Sequence, residues 1–104
     1  MATIMAINLD NFNVIHNEEE QQFELVAESR KSLLAYHRTP GVISFDHTEV
    51  PPELEGQGIA AKMTRAALDF ARTERLRVVP ACSYVAAFIR KNAEYQGLLA
   101  AGKK

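Results

Sequence analysis

The chain lacks most of the features that tie a protein to a special environment. Of its 104 residues one, Cys82, is cysteine and none is tryptophan. A single thiol can neither close a disulfide within the chain nor build a cysteine metal cluster, and it suits a reducing compartment, so a cytoplasmic location and no metal are expected. An excess of one charge is lacking too. Twelve Lys and Arg against 13 Asp and Glu leave a formal net charge of −1, which gives no electrostatic footing along a nucleic-acid backbone, so no nucleic-acid partner is expected. No apolar run approaches the roughly 20 residues of a membrane-spanning helix, so no membrane association is expected either. Residues 1–8 have neither a basic start nor a long apolar stretch and do not read as a signal peptide.

What is present is a composition, 47% hydrophobic and 24% charged, that builds one modest core with no room for a separate substrate domain. A single domain spanning residues 1–104 is expected, as one layer of sheet with a few helices. Apolar and polar residues alternate over 23–27, where Phe23, Leu25 and Ala27 alternate with Glu24, and shorter runs at 14–17 and 33–37 also read as strands. The run 42–50 reads as the longest strand, with Ile43, Phe45, His47 and Glu49 on one face. These four runs form an antiparallel meander. After Pro51 and Pro52 the period changes to about 3.6, and Ile59, Met63, Ala66 and Phe70 mark an amphipathic helix ending near Arg75. A helix crossover then places the short strand at 76–81 parallel to the long one. A second helix follows at 84–91, and from Gly97 a fraying basic tail is expected. The fold class is α/β (α+β) with a mixed sheet.

The segment from Val50 to Ala60 carries the strongest chemical signal: a strand end, two prolines, Gly56 and Gly58 one residue apart, then a helix start. Glycines let a backbone pass close to a phosphate, and the N–H groups of a first helical turn favour an anion. The short glycine pattern alone fits an ordinary strand-to-helix turn equally well. In its context the segment resembles the loop of the GCN5-related N-acetyltransferases, a Gln/Arg-x-x-Gly-x-Gly/Ala motif onto which Glu53, Gly56 and Gly58 fall. Glu53 stands where that family has Gln or Arg, and Glu55 where many members have a basic residue. The segment from Pro80 to Val85, with Phe88–Asn92 and Glu94–Gln96 after it, is similar to a small single-domain branch of the same family, so the likeness runs from Phe23 to Leu99.

The resemblance implies acetyl-CoA as cofactor, with its pyrophosphate on Gly56, Gln57, Gly58, Ile59 and Ala60 and a backbone N–H near Val50 on the thioester carbonyl. It also implies that Arg90, Lys91 and Asn92 touch the pantetheine and nucleotide parts, a basic helix end complementing its dipole being the plainer reading of those residues. His47 and Cys82 are the implied catalytic residues, both facing the acyl group where two strands splay apart. An imidazole is suited to taking the proton of an acceptor ammonium, and a thiol before a helix N-terminus is suited to carrying the acetyl group, so either route stands. Read as structure alone, His47 is a strand histidine and Cys82 a small buried hydrophobe. Tyr84, Tyr95, His16 and His37 read as packing residues.

Larger relatives carry helices between the first two strands, and only residues 17–22 lie there in this chain. An open acceptor site follows, suited to a large amine such as a protein lysine, in a monomer or homodimer. The competing reading is a non-catalytic CoA-binding module acting through a partner surface.

Overall fold

The computed structural model describes residues 8–100. A short 3-10 turn, Leu9–Asn11, leads into strands β1 (Ile15–Asn17), β2 (Gln22–Ala27), β3 (Arg30–Thr39) and β4 (Val42–Glu49). The 3-10 turn Pro52–Leu54 then precedes helix α1 (Ile59–Thr73), strand β5 (Arg77–Pro80), helix α2 (Ser83–Lys91) and the 3-10 helix Ala93–Leu98. The sheet runs in chain order, antiparallel from β1 to β4, with β5 parallel to β4. The expected meander and crossover are therefore present.

Alternation along the strands sends Phe23, Leu25, Leu34, Tyr36, Ile43 and Phe45 to one face, where all are buried. Most of them form one core with Ala67, Leu68 and Ala71 of α1 and Val85, Phe88 and Ile89 of α2, so both helices cover that face. The opposite face carries Ile15, Val26 and Val79, which remain exposed. Burying α1 against the sheet holds the loop before it against the end of β4, and this packing positions the site.

Four expectations need correction. The longest strand is β3, with ten residues, because Glu28 and Ser29 form a two-residue turn at φ 54° and 64° and the strand restarts at Arg30. The polar run 28–32 reads as a break between strands, but tight turns favour Asn and Gly, so Glu-Ser did not show that only two of those residues form the turn. The buried stripe of α1 follows Ile59, Met63, Ala67 and Ala71 with Thr64 and Leu68, leaving Ala66 and Phe70 on its flank. Phe70 there meets the rings of His16 and Phe23. The helix stops at Thr73, where Arg75 turns left-handed at φ 59° and Leu76 N–H reaches back to the Ala71 carbonyl. That is a Schellman closure. Finally, the chain does not fray at Gly97: Leu99 bridges Val78 of β5 and the Ala100 N–H donates to the Val78 carbonyl, while just before it Tyr95 is buried, as expected of a packing residue, with its hydroxyl donating to Asp69. Residues 101–104 of the expected tail lie outside the described residues.

Candidate active site

The site begins where two neighbouring strands stop pairing. The last pair between β4 and β5 is Phe45 with Pro80, and the Cys82 N–H donates to the Phe45 carbonyl at 2.8 Å. Beyond that point β4 continues to Glu49 while the other chain turns into α2. A cleft of about 450 Å³ opens there, lined by Thr48, Val50, Glu55, the loop Gly56–Ala61 apart from Gln57, Leu54 and Tyr84.

The floor of this cleft is backbone. Gly56 and Gly58 lie at φ 83° and 86°, a region that costs an L-residue roughly 1–2 kcal/mol. A Cβ on Gly58 would come within 3.2 Å of Leu9 Cδ1. Gly58 caps α1 without any side-chain hydrogen bond, and its carbonyl accepts the first helical bond from Lys62. The leading N–H groups of α1 thus have no intrahelical acceptors, and the helix dipole gives them a positive potential.

The acidic side chains of the loop divide. Glu53 is held outward by Arg30 at 3.3 Å, whereas Glu55 lines the cleft. Lys62 donates to the carbonyls of Leu9 and Phe12, so this cation pins the N-terminal turn instead of reaching the loop. With a largely apolar wall and a backbone anion seat at one end, the residues fit the pantetheine and pyrophosphate of acetyl-CoA.

Strand parity is where the sequence reading fails. Tyr36 pairs with Phe45 but Ala35 pairs with His47, so β4 advances two residues while β3 advances one, and Asp46 is the extra residue of a bulge. The Asp46 carboxylate accepts the Ser44 hydroxyl and is hydrogen-bonded to His37 Nδ1, each at 2.7 Å. Past the bulge Thr48, opposite Leu34, shares the face of Phe45, while His47, opposite Ala35, points to the open face. There His47 Nε2 lies 2.7 Å from Glu49 Oε2, with both side chains more than half exposed. The expected alignment of His47 with Phe45 is thereby corrected. The side chain that meets Cys82 is Thr48, with Oγ1 to Sγ at 3.3 Å.

Of the other expected residues, Val50, Gly56, Gly58, Ile59 and Ala60 line the cleft, and Gln57 sits between the two glycines. Cys82 is half-buried at the N-cap of α2. Arg90, Lys91 and Asn92 lie at the far end of α2, roughly 10 Å along its axis from the cleft, and are not among its lining residues. Arg90 lines a separate cavity with Pro80, Ala86, Ile89, Gln96 and Leu99, and Asn92 Nδ2 donates to the Phe88 carbonyl. Tyr84, read as packing, instead lines the cleft, and burial raises its phenol above the usual tyrosine value. A helix start at Ser83 is the sequence signal that could have placed it there.

A second cavity of about 420 Å³ adjoins the first across Thr48, Val50 and Glu55, and is otherwise lined by Lys31, Glu49, Pro51 and Pro52. The end of β4 therefore separates a helix-side cleft from a pocket that Lys31 and Glu49 border.

Comparison with known proteins bears on this arrangement. A family model described as GCN5-related N-acetyl-transferase matches residues 22–98. The protein NATD1 of Bos taurus is 34% identical over 82 residues, covering 76% of this chain and 73% of its own. NATD1 of Homo sapiens is 32% identical over 82 residues, with the same coverage. A GCN5-like Staphylococcus aureus protein solved by solution NMR superposes with a TM-score of 0.69 at 26% identity, over 86% of this chain and 89% of its own.

Proposed function

The chain belongs to the GCN5-related N-acetyltransferase family, and from that premise we propose that it moves an acetyl group from acetyl-CoA to an amine at the cleft between β4 and β5. One observation carries the reading: the left-handed glycines Gly56 and Gly58 line one cleft together with Thr48, whose hydroxyl touches the Cys82 thiol. Acetyl-CoA supplies an acetyl group already activated as a thioester. The loop and the first turn of α1 hold the pyrophosphate, and a backbone N–H near Val50 stabilises the charge that develops on the carbonyl oxygen. Tyr84, whose phenol is raised further above the neutral range by partial burial, serves as a hydrogen-bond donor in the cleft.

The acceptor arrives from the open face. An ammonium must lose a proton before it attacks, and His47 takes that proton, with Glu49 orienting the imidazole through their hydrogen bond. As the C–N bond forms and the C–S bond breaks, CoA leaves as a thiolate that takes up the amine's second proton. In a two-step route Cys82, at the N-terminus of α2, is the first nucleophile: its sulfur attacks the thioester carbonyl, CoA leaves and takes up the thiol proton, and the amine then attacks the acetyl-cysteine and regenerates the Cys82 thiol. The β1–β2 connection is a turn at residues 18–21 with no helix, so the open face admits a large acceptor such as a protein lysine.

A second reading has its own support, since Glu55 lines the cleft and His47 faces away from Thr48 and Cys82. It makes the domain a CoA-binding module that does not turn over. Incubation with acetyl-CoA, followed by desalting and intact mass measurement, separates the two when protein lysines and small amines are offered. Acceptor acetylation that collapses in His47→Ala supports direct transfer, and a protein adduct absent from Cys82→Ala supports the two-step route. Binding without consumption favours the module, and no binding at all refutes both.

A further inference from the structure

Besides Arg90 and Lys91 at the far end of α2, the fold places a further cation beside the cleft. Arg65 follows Ala61, a residue lining the cleft, by one helical turn, so the two share a face of α1 about 6 Å apart along the axis. Its guanidinium carbon sits 5.2 Å above the ring of Phe88, which in turn lies 6.3 Å from the ring of Tyr84, another lining residue. Arg65 thus stands on the groove between α1 and α2, just outside the mouth of the cleft.

Other cations near the loop are engaged elsewhere. Lys62 is bound to the Leu9 and Phe12 carbonyls, Arg30 to Glu53, and Lys31 to Glu24. The nearest carboxylate to Arg65 is that of Glu94 at 4.0 Å, at the limit of an ion pair and half exposed, and Arg65 also borders the Tyr95 hydroxyl. The ring of Phe88 helps to hold this guanidinium at the groove, and its fork of N–H donors can pair bidentately with a phosphate.

We infer that Arg65 binds the 3′-phosphate of CoA, one ribose away from the pyrophosphate on Gly56 and Gly58. This rests on the acetyl-CoA reading above and adds a residue that distinguishes CoA from carriers ending in a bare pantetheine phosphate or a 3′-hydroxyl nucleotide. Such a contact at a half-exposed site gives about a fivefold to tenfold preference.

The test is calorimetric titration with CoA and with 3′-dephospho-CoA. The native protein binds CoA at least fivefold more tightly, and Arg65→Gln brings the two ligands level by weakening CoA alone. Unchanged affinity for 3′-dephospho-CoA in Arg65→Gln shows the fold and the pyrophosphate seat to be intact. Arg65→Lys, which keeps the charge and loses the fork, retains part of the preference. Arg72→Gln, which removes the similar contact with the Tyr95 ring farther along α1, leaves the preference unchanged. A preference that survives in Arg65→Gln overturns the inference while leaving the cofactor reading standing. Failure of the native protein to bind either ligand overturns the cofactor reading itself.

Discussion

Replacing Thr48 by cysteine tests the bulge in β4 directly. Thr48 Oγ1 and Cys82 Sγ are 3.3 Å apart across the opening between β4 and the start of α2. A sulfur at the Oγ1 position needs an approach of roughly 1 Å to form a bond, within reach of a side-chain rotation. The bond would close a loop of 34 residues. Loop-closure entropy for that length is worth about 3.8 kcal/mol in the unfolded chain, and strain lowers the realised gain. A domain of this size gains roughly 4–8 °C in Tm per kcal/mol, so even half the entropic value raises Tm by about 8–15 °C. Mild oxidation of Thr48→Cys, thiol counting, and thermal melts with and without reductant make the assay. His47→Cys, on the other face, stays reduced under the same conditions. The cross-link also pins the cleft, so acetyl-CoA binding falls on oxidation and returns on reduction. Efficient cross-linking of His47→Cys with none in Thr48→Cys would refute the strand parity and the site built on it.

Two further outcomes follow from the packing. His16 stacks on Phe23, its Nε2 lies 2.6 Å from the Tyr36 hydroxyl, and burial lowers its pKa below the usual 6.5 despite the opposing field of Glu18. Below about pH 6.5 the unfolded chain therefore binds a proton that the folded chain resists, so stability falls as pH drops toward the folded value and then levels off. Urea unfolding at pH 7.5, 6.0 and 5.0 should show that loss, and His16→Phe should reduce it; equal loss in both proteins removes His16 as the cause. Gly58→Ala combines the left-handed backbone penalty with the 3.2 Å approach to Leu9, against a smaller gain from a stiffer unfolded chain. It should cost about 1–2 kcal/mol, read as a lower urea midpoint at unchanged slope, and no loss would mean that the turn tolerates a different conformation.

Much of this protein is written locally. The β2 alternation, the amphipathic run of α1 and the glycines at its start each depend on residues a few positions apart, so the order of elements and the glycine turn into α1 are legible in the residues themselves. The same holds for Cys82 at the start of α2, since a helix N-terminus is set by the chain around it. Asp46 shows the limit. Nothing in Phe45-Asp46-His47-Thr48 announces an extra residue, because a bulge is a property of two paired strands, and one such residue exchanges the faces of His47 and Thr48. The basic residues repeat the lesson at longer range. Sequence shows that Lys62, Arg65 and Arg90 carry charge, whereas the carbonyls of Leu9 and Phe12, the ring of Phe88 and the direction in which α2 leaves the cleft decide where each charge acts. Periodicity fixes which residues share an element, and the tertiary structure alone fixes which elements meet, because contacts between distant segments are set by packing and pairing rather than by spacing along the chain.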